Sequence, residues 1–162
     1  MLLNALSHII QNGESVSLIL AGKDAKHQQD ISSIIQQLHL QNHVLEAGSI
    51  DEADMSALYG AATLFVFPSY YEGFGLPVLE AMASGVPVIA SNAASIPELV
   101  GDAGVLLDPH NPDEWATAIT QLLHDKPTRL ALIQRGLARV QQFSWQDCSQ
   151  NTLQVYQDAA HN

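Results

Sequence analysis

The stretch from Pro68 to Val88, P-S-Y-Y-E-G-F-G-L-P-V-L-E-A-M-A-S-G-V-P-V, leaves this chain few folds to choose from. A short apolar run, Leu64 to Phe67, precedes it, and a second, Val86 to Ala90, overlaps its end. Each has the length and composition of a buried strand. A loop and a helix must therefore join two strands. In the loop, Gly73 and Gly75 let backbone approach a ligand with no Cβ in the way, and Pro77 suits the first residue of a helix, where no amide donor is needed. The free amides at such a helix start form an anion site. Two carboxylates frame it. Glu72 precedes the glycines, and Glu80 lies one turn into a helix whose Leu76, Val78, Leu79, Ala81 and Met82 are apolar, so its carboxylate needs hydroxyl or amide partners.

The same alternation extends along the chain. Leu2, Leu3, Leu6, Ile9 and Ile10 have helical spacing that stops at Asn12-Gly13. Val16 to Ala21 reads as a strand closing on Gly22, Lys23 and Asp24, at the carboxyl end where open α/β sheets bind ligands. Ile31, Ile34, Ile35 and Leu38 mark a helix, Val44 to Ala47 a strand, and Asp51, Glu52 and Asp54 open another helix. Beyond the central stretch, Ser95 and Glu98 have capping-box spacing, and Val105 to Leu107 is a last strand. Helices then start at Asn111-Pro112 and at about Thr128, and a final one begins at Ser144 with Trp145, Cys148, Thr152, Leu153 and Tyr156 on one face. Strands alternating with helices predict a three-layer α/β fold with a parallel sheet of the Rossmann type. No repeat or linker divides the 162 residues, which are expected to form one domain.

Helix-start amides take phosphate oxygens and carboxylates accept from sugar hydroxyls, so the central stretch suits a nucleotide sugar, which carries both groups. At these residues the chain resembles the donor half of the GT-B retaining glycosyltransferases, especially glycosyltransferase family four, whose signature is Glu, seven residues, Glu; here these are Glu72 and Glu80. The surrounding P-S-x-x-E-G-F-G-x-P-x-x-E-A-x-A-x-G-x-P-V string carries the resemblance, together with L-I-L-A-G, V-L-E-A-G, L-F-V-F-P-S, P-V-I-A-S and G-V-L-L-D in the family's order. It spans about residues 1 to 145. The final helix, about 144 to 160, is similar to the one that crosses back to the family's acceptor domain.

The resemblance implies that Glu80 binds the ribose hydroxyls and that Glu72 faces the transferred sugar as the catalytic-site carboxylate. Gly73, Phe74, Gly75 and Leu76 present backbone amides, with Gly22 and Lys23 as further donor-binding candidates. It implies transfer from a nucleotide-diphosphate sugar without a metal. Family members carry a further strand and a basic loop ahead of the first helix seen here, and a separate acceptor-binding half. No residue of this sequence matches either. That strand would lie between Val16–Ala21 and Leu64–Phe67, so those two strands are expected to close on each other or to be paired by a partner chain. The chain alone is expected to be inactive and to self-associate, or to work with a separate acceptor-domain chain. The alternative is a relic that catalyses nothing and acts as a binding or oligomerising module. A GT-B epimerase or phosphorylase fits the E-G-F-G-L-P-V-L-E string less well.

Composition narrows the partners. Six basic against seventeen acidic residues give a formal charge of −11, which repels nucleic acid and anionic membranes. No apolar run approaches the ~20 residues of a membrane span, and no basic region with an apolar core opens the chain, so a cytoplasmic protein is expected. Cys148 is the only cysteine, which excludes an intrachain disulfide and a thiolate metal cluster. His39 and His43 are four apart, but Gln41-Asn42 reads as a helix end, and two exposed histidines are expected rather than a metal pair. Ser69 and Ser84 lack a nucleophile signature. Tyr70 and Tyr71 could stack on a sugar or base or simply pack, and the S-N-A-A-S segment, Ser91 to Ser95, resembles a loop near the family's donor site.

Overall fold

A computed structural model describes residues 1–22 and 28–160. Its elements are α1 (Leu2–Gln11), β1 (Leu18–Ala21), α2 (Gln28–Gln37), β2 (Val44–Gly48), α3 (Glu52–Ala61), β3 (Phe65–Phe67), α4 (Leu76–Ala83), β4 (Val88–Ser91), α5 (Ile96–Val100), β5 (Gly104–Leu107), α6 (Pro112–His124), α7 (Lys126–Val140) and α8 (Trp145–Ala160). Every strand pair is parallel, as crossover helices between consecutive strands require.

The central strand β4 shows why its run is apolar throughout. All four of its residues are buried. Val88 and Ala90 face one layer, with Tyr59 of α3, Val78, Ala81 and Met82 of α4, and Ile96, Leu99 and Val100 of α5. Ile89 faces the other, with Ala5 and Ile9 of α1 and Trp115 and Ala116 of α6. A strand covered on both faces cannot alternate apolar with polar, and the result is the predicted three-layer parallel α/β fold. Trp115 is fully buried and its indole Nε1 donates to the Asp108 carbonyl at 2.9 Å, so the one polar atom of the largest core side chain is satisfied.

The strands form two sheets, β1-β2 and β3-β4-β5. β1 and β3 do not pair, so of the two expected arrangements the closing of these strands on each other is not adopted. Helix α1 spans the division: Leu6 packs with Ile35 and Leu40 against the first sheet, while Ala5 and Ile9 pack with α6 against the second. The outer face of the two-stranded sheet is uncovered, and the register partners Ile19 and Leu45 are 47% and 60% exposed there.

Helix ends follow local chemistry. Asn111 accepts from the Glu114 amide at 3.3 Å and starts α6. α7 begins at Lys126, earlier than Thr128, because Asp125 is its cap, accepting from the Thr128 amide at 3.0 Å and the Thr128 hydroxyl at 2.7 Å. Those bonds hold the Asp125 carboxyl below its ordinary value. The expected capping box at Ser95 is not made: Ser95 donates elsewhere, and α5 has no side-chain cap. α2 ends at Gln37, so no helix holds both His39 and His43. His39 is exposed, but His43 is half-buried and its Nδ1 lies 3.1 Å from the Val16 carbonyl, which corrects the expectation of two exposed histidines. Two further histidines have carboxylate partners distant in sequence, His8 with Asp113 and His124 with Glu14, each at 2.8 Å. Helix α8 has no buried residue.

Candidate functional site

The loop between β3 and α4 is held from three sides. Gly75, the residue before α4, adopts φ +104°, a left-handed conformation that glycine reaches at no steric penalty. A Cβ there would come 2.7 Å from Ile96 Cδ1. Glycine at 75 is thus favoured by the backbone conformation and by the contact with α5, apart from any approach of a ligand. Gly73 is different: a Cβ at 73 would meet nothing within 4 Å, so the protein itself leaves that side of the loop open.

Serines of β4 and the segment after it supply the second set of restraints. The Ser91 hydroxyl donates to the Ser69 carbonyl, and the Ser95 hydroxyl reaches the Glu72 carbonyl at 2.9 Å and the Phe74 carbonyl at 3.0 Å. The S-N-A-A-S segment therefore does lie against the loop. Ser69 itself donates to Glu72 Oε1 at 2.9 Å, or alternatively to the Tyr71 carbonyl at 3.2 Å, and fixes the first carboxylate. The third side is aromatic: Phe74 meets Phe143 edge to face at 6.2 Å, and the Arg139 guanidinium covers the same Phe143 ring at 5.1 Å. Arg139 also donates to the Leu99 and Glu98 carbonyls, so it is occupied with the end of α5.

Pro77 is the second residue of α4, not the first, and has no N–H, while the Val78 amide is bonded to the Gly75 carbonyl at 3.0 Å. Among the described residues, the amides of Gly73, Phe74, Gly75 and Leu76 have no acceptor. Four adjacent donors without acceptors at a helix start are a receptor for anionic oxygen.

The second carboxylate, Glu80, is exposed and accepts from the Tyr59 hydroxyl at 3.0 Å. Burial of Tyr59, followed by its hydrogen bond to Glu80 and that carboxylate's charge, pushes the phenol well above its ordinary value. Tyr59 thus remains a donor at any working pH and holds Glu80 in one orientation. Sequence reasoning missed Tyr59, because its contact spans 21 residues and its own surroundings look like an ordinary helix face. It also missed Phe143 and Arg139 for the same reason. Tyr71 is 80% exposed and available to a ligand, while Tyr70 tilts against His110 at 4.9 Å.

Of the remaining candidates, Gly22 follows β1 with its amide on the Gly48 carbonyl at 2.8 Å, which occupies that donor. Lys23 lies outside the described residues. No group of three metal-ligating side chains occurs among the described residues, and none of their helices is long and apolar enough to cross a membrane.

The family profile of glycosyl transferases group 1 matches residues 1–139. The O-antigen chain mannosyltransferase B of Escherichia coli is 41% identical over 139 residues, covering 86% of this chain and 36% of that protein. Among solved structures, sucrose-phosphate synthase from Thermosynechococcus elongatus superposes with a TM-score of 0.85 at 30% identity, over 99% of this chain and 42% of that one. Anabaena HepE in complex with UDP and glucose gives 0.84 at 29% identity, over 96% and 43%. The chain spans about a third of the length of two curated relatives it matches, 36% and 35%. The profile match over residues 1–139 and the 41% identity to a curated member place the chain in the group 1 glycosyltransferase family, with the parallel α/β fold of one Rossmann-like domain of a GT-B protein.

Proposed function

We propose that this chain is the donor-binding domain of a retaining glycosyltransferase. The observation that carries the reading is the run of unpartnered amides from Gly73 to Leu76 between Glu72 and Glu80. In this reading the loop amides take the diphosphate oxygens, Glu80 accepts from the ribose hydroxyls in the orientation fixed by Tyr59, and Glu72 accepts from hydroxyls of the sugar. An acceptor hydroxyl attacks the anomeric carbon on the face the leaving group occupies. The bond from that carbon to the diphosphate oxygen breaks, and the acceptor proton passes to the departing phosphate. Amides compensate the negative charge in place of a metal. HepE, whose structure contains UDP and glucose, makes a uridine nucleotide the first donor to try.

The roles of the carboxylates separate by titration calorimetry with a nucleoside diphosphate and its sugar conjugate. Glu80→Ala should weaken both ligands by roughly 1.5 to 3 kcal/mol, the value of a hydrogen bond to a charged group. Glu72→Ala should weaken only the sugar conjugate. Tyr59→Phe keeps the Glu80 charge but frees its orientation, and should weaken both ligands by roughly 0.5 to 1.5 kcal/mol. Equal nucleotide affinities for the parent chain and Glu80→Ala would refute the assignment.

The 162-residue chain by itself should carry out no transfer, since it spans about a third of its relatives' length and positioning of an acceptor supplies a large share of enzymatic rate. An acceptor-domain chain or a second copy would meet the exposed Trp145, Leu153, Val155 and Tyr156 of α8. Sedimentation and a panel of nucleotide sugars test both points: a monomer with robust transfer would overturn them. The relic reading is favoured by the same open surfaces, and an absence of binding at millimolar nucleotide would select it. A cytoplasmic location is proposed on the single cysteine, Cys148, which fits a reducing compartment.

A further inference from the structure

Two of the restraints on the loop between β3 and α4 meet at one side chain, Arg139 of α7. Each of its three guanidinium nitrogens has an acceptor: Nε donates to the Leu99 carbonyl at 3.0 Å, Nη2 to the Glu98 carbonyl, and Nη1 to the side-chain oxygen of Gln142. Glu98 and Leu99 lie near the end of α5, where helix carbonyls favour a cation. At the start of that five-residue helix, the Ser95 hydroxyl holds the Glu72 and Phe74 carbonyls, and Ile96 stands against Gly75. Helix α5 is therefore a short strut between Arg139 and the loop. The second route is aromatic: the guanidinium lies over the Phe143 ring at 5.1 Å, and that ring meets Phe74 edge to face at 6.2 Å. Both routes converge on Phe74, one on its carbonyl and one on its ring.

We infer that Arg139 is a positioning residue of the site, which touches no ligand and holds the Gly73–Leu76 amides in place through α5 and through Phe143. The inference rests on the reading of those amides as the diphosphate receptor. A guanidinium binds phosphate through its fork of N–H groups, and here two backbone carbonyls take the fork. The loop also needs an outside hold, because amides without acceptors have no hydrogen bonds of their own to fix them. A loop ordered before the ligand arrives spares the ligand that cost in affinity. Only a planar, delocalised cation can serve two carbonyls at its edge and an aromatic ring at its face, so lysine is no equivalent.

The test measures backbone amide order parameters by NMR relaxation in the 162-residue chain, with calorimetry of UDP binding alongside. Arg139→Lys keeps the charge and loses the fork, whereas Phe143→Leu keeps apolar volume and loses the ring. In each variant the Gly73, Phe74 and Gly75 amides should fall from the rigid range, about 0.85, to below about 0.6. UDP should bind roughly three- to tenfold more weakly. The amide of Ile89, fully buried in β4, should stay rigid in both, which separates release of the loop from loss of the fold. Phe143→Tyr retains the ring and should restore both loop order and affinity. A loop mobile in the parent chain, or rigid in both variants, would overturn the inference. Weaker UDP binding by Arg139→Lys with the loop unmoved would do the same, as the sign of a direct phosphate contact, and so would a freed loop with unchanged affinity. A parent chain that binds no UDP would sink the donor-binding reading alone, since the order parameters decide the positioning without ligand.

Discussion

Gly75→Val is expected to destabilise the fold and to abolish anion binding together. A β-branched side chain at φ +104° is a backbone outlier costing about 1 to 3 kcal/mol. Its Cβ would also lie 2.7 Å from Ile96 Cδ1, and forcing extra atoms into a packed contact adds roughly 1 to 3 kcal/mol. Ile96 is fully buried and Ser95, its neighbour, holds the Glu72 and Phe74 carbonyls, so relief of the clash displaces the loop itself. Urea denaturation gives the stability change and calorimetry the binding loss. Gly73→Ala is the control, since a Cβ there meets nothing within 4 Å: its midpoint should stay near that of the parent. A Gly75→Val chain with an unchanged midpoint would show that the loop is not held by α5.

Trp115→Ala should have the largest effect on stability, about 3 to 5 kcal/mol for removing a buried aromatic side chain. Trp115 is the largest fully buried side chain and ties α6 to Ile89, Leu107 and the α1 residues Ala5 and Ile9. Single domains have only about 5 to 15 kcal/mol in total, so this variant should be close to unfolding at room temperature. Trp115→Phe isolates the indole hydrogen bond to Asp108. It fills most of the volume and should lose roughly 0.5 to 1.5 kcal/mol for the hydrogen bond, since the Asp108 carbonyl still accepts from the Asn111 amide at 3.2 Å.

Period and composition were enough for the layers, because β4 is covered on both faces and its run had to be apolar throughout. The parallel direction followed from the alternation of elements, while the sequence left open whether β1 and β3 close on each other, which they do not. What sequence could not supply was the destination of individual side chains. Ser95 and Glu98 have the spacing of a capping box, yet the Ser95 hydroxyl goes to carbonyls 21 and 23 residues earlier in the chain. Local spacing cannot weigh a cap against an acceptor brought in by another element. Gly75 shows the same limit: glycine was expected there, but its left-handed backbone and its contact with Ile96 of α5 were not. Tyr59 and Glu80 meet across two helices, α3 and α4, whose packing no single helical period encodes. In the candidate site, then, the placing of Glu72 and Glu80 on either side of a helix-start loop was legible, while the side chains that orient them were not.

The two tryptophans sit at opposite extremes of environment, Trp115 fully buried in the core and Trp145 78% exposed at the start of α8. Intrinsic fluorescence therefore carries two separable signals. Unfolding moves only Trp115 from an apolar to an aqueous surrounding and shifts its emission to the red, while Trp145 already emits as if in water. Anything that covers α8 does the opposite, shifting Trp145 to the blue and shielding it from a soluble quencher with Trp115 unchanged. One emission spectrum, read with and without quencher, thus distinguishes loss of the core from occupation of the last helix, with no label attached to the chain.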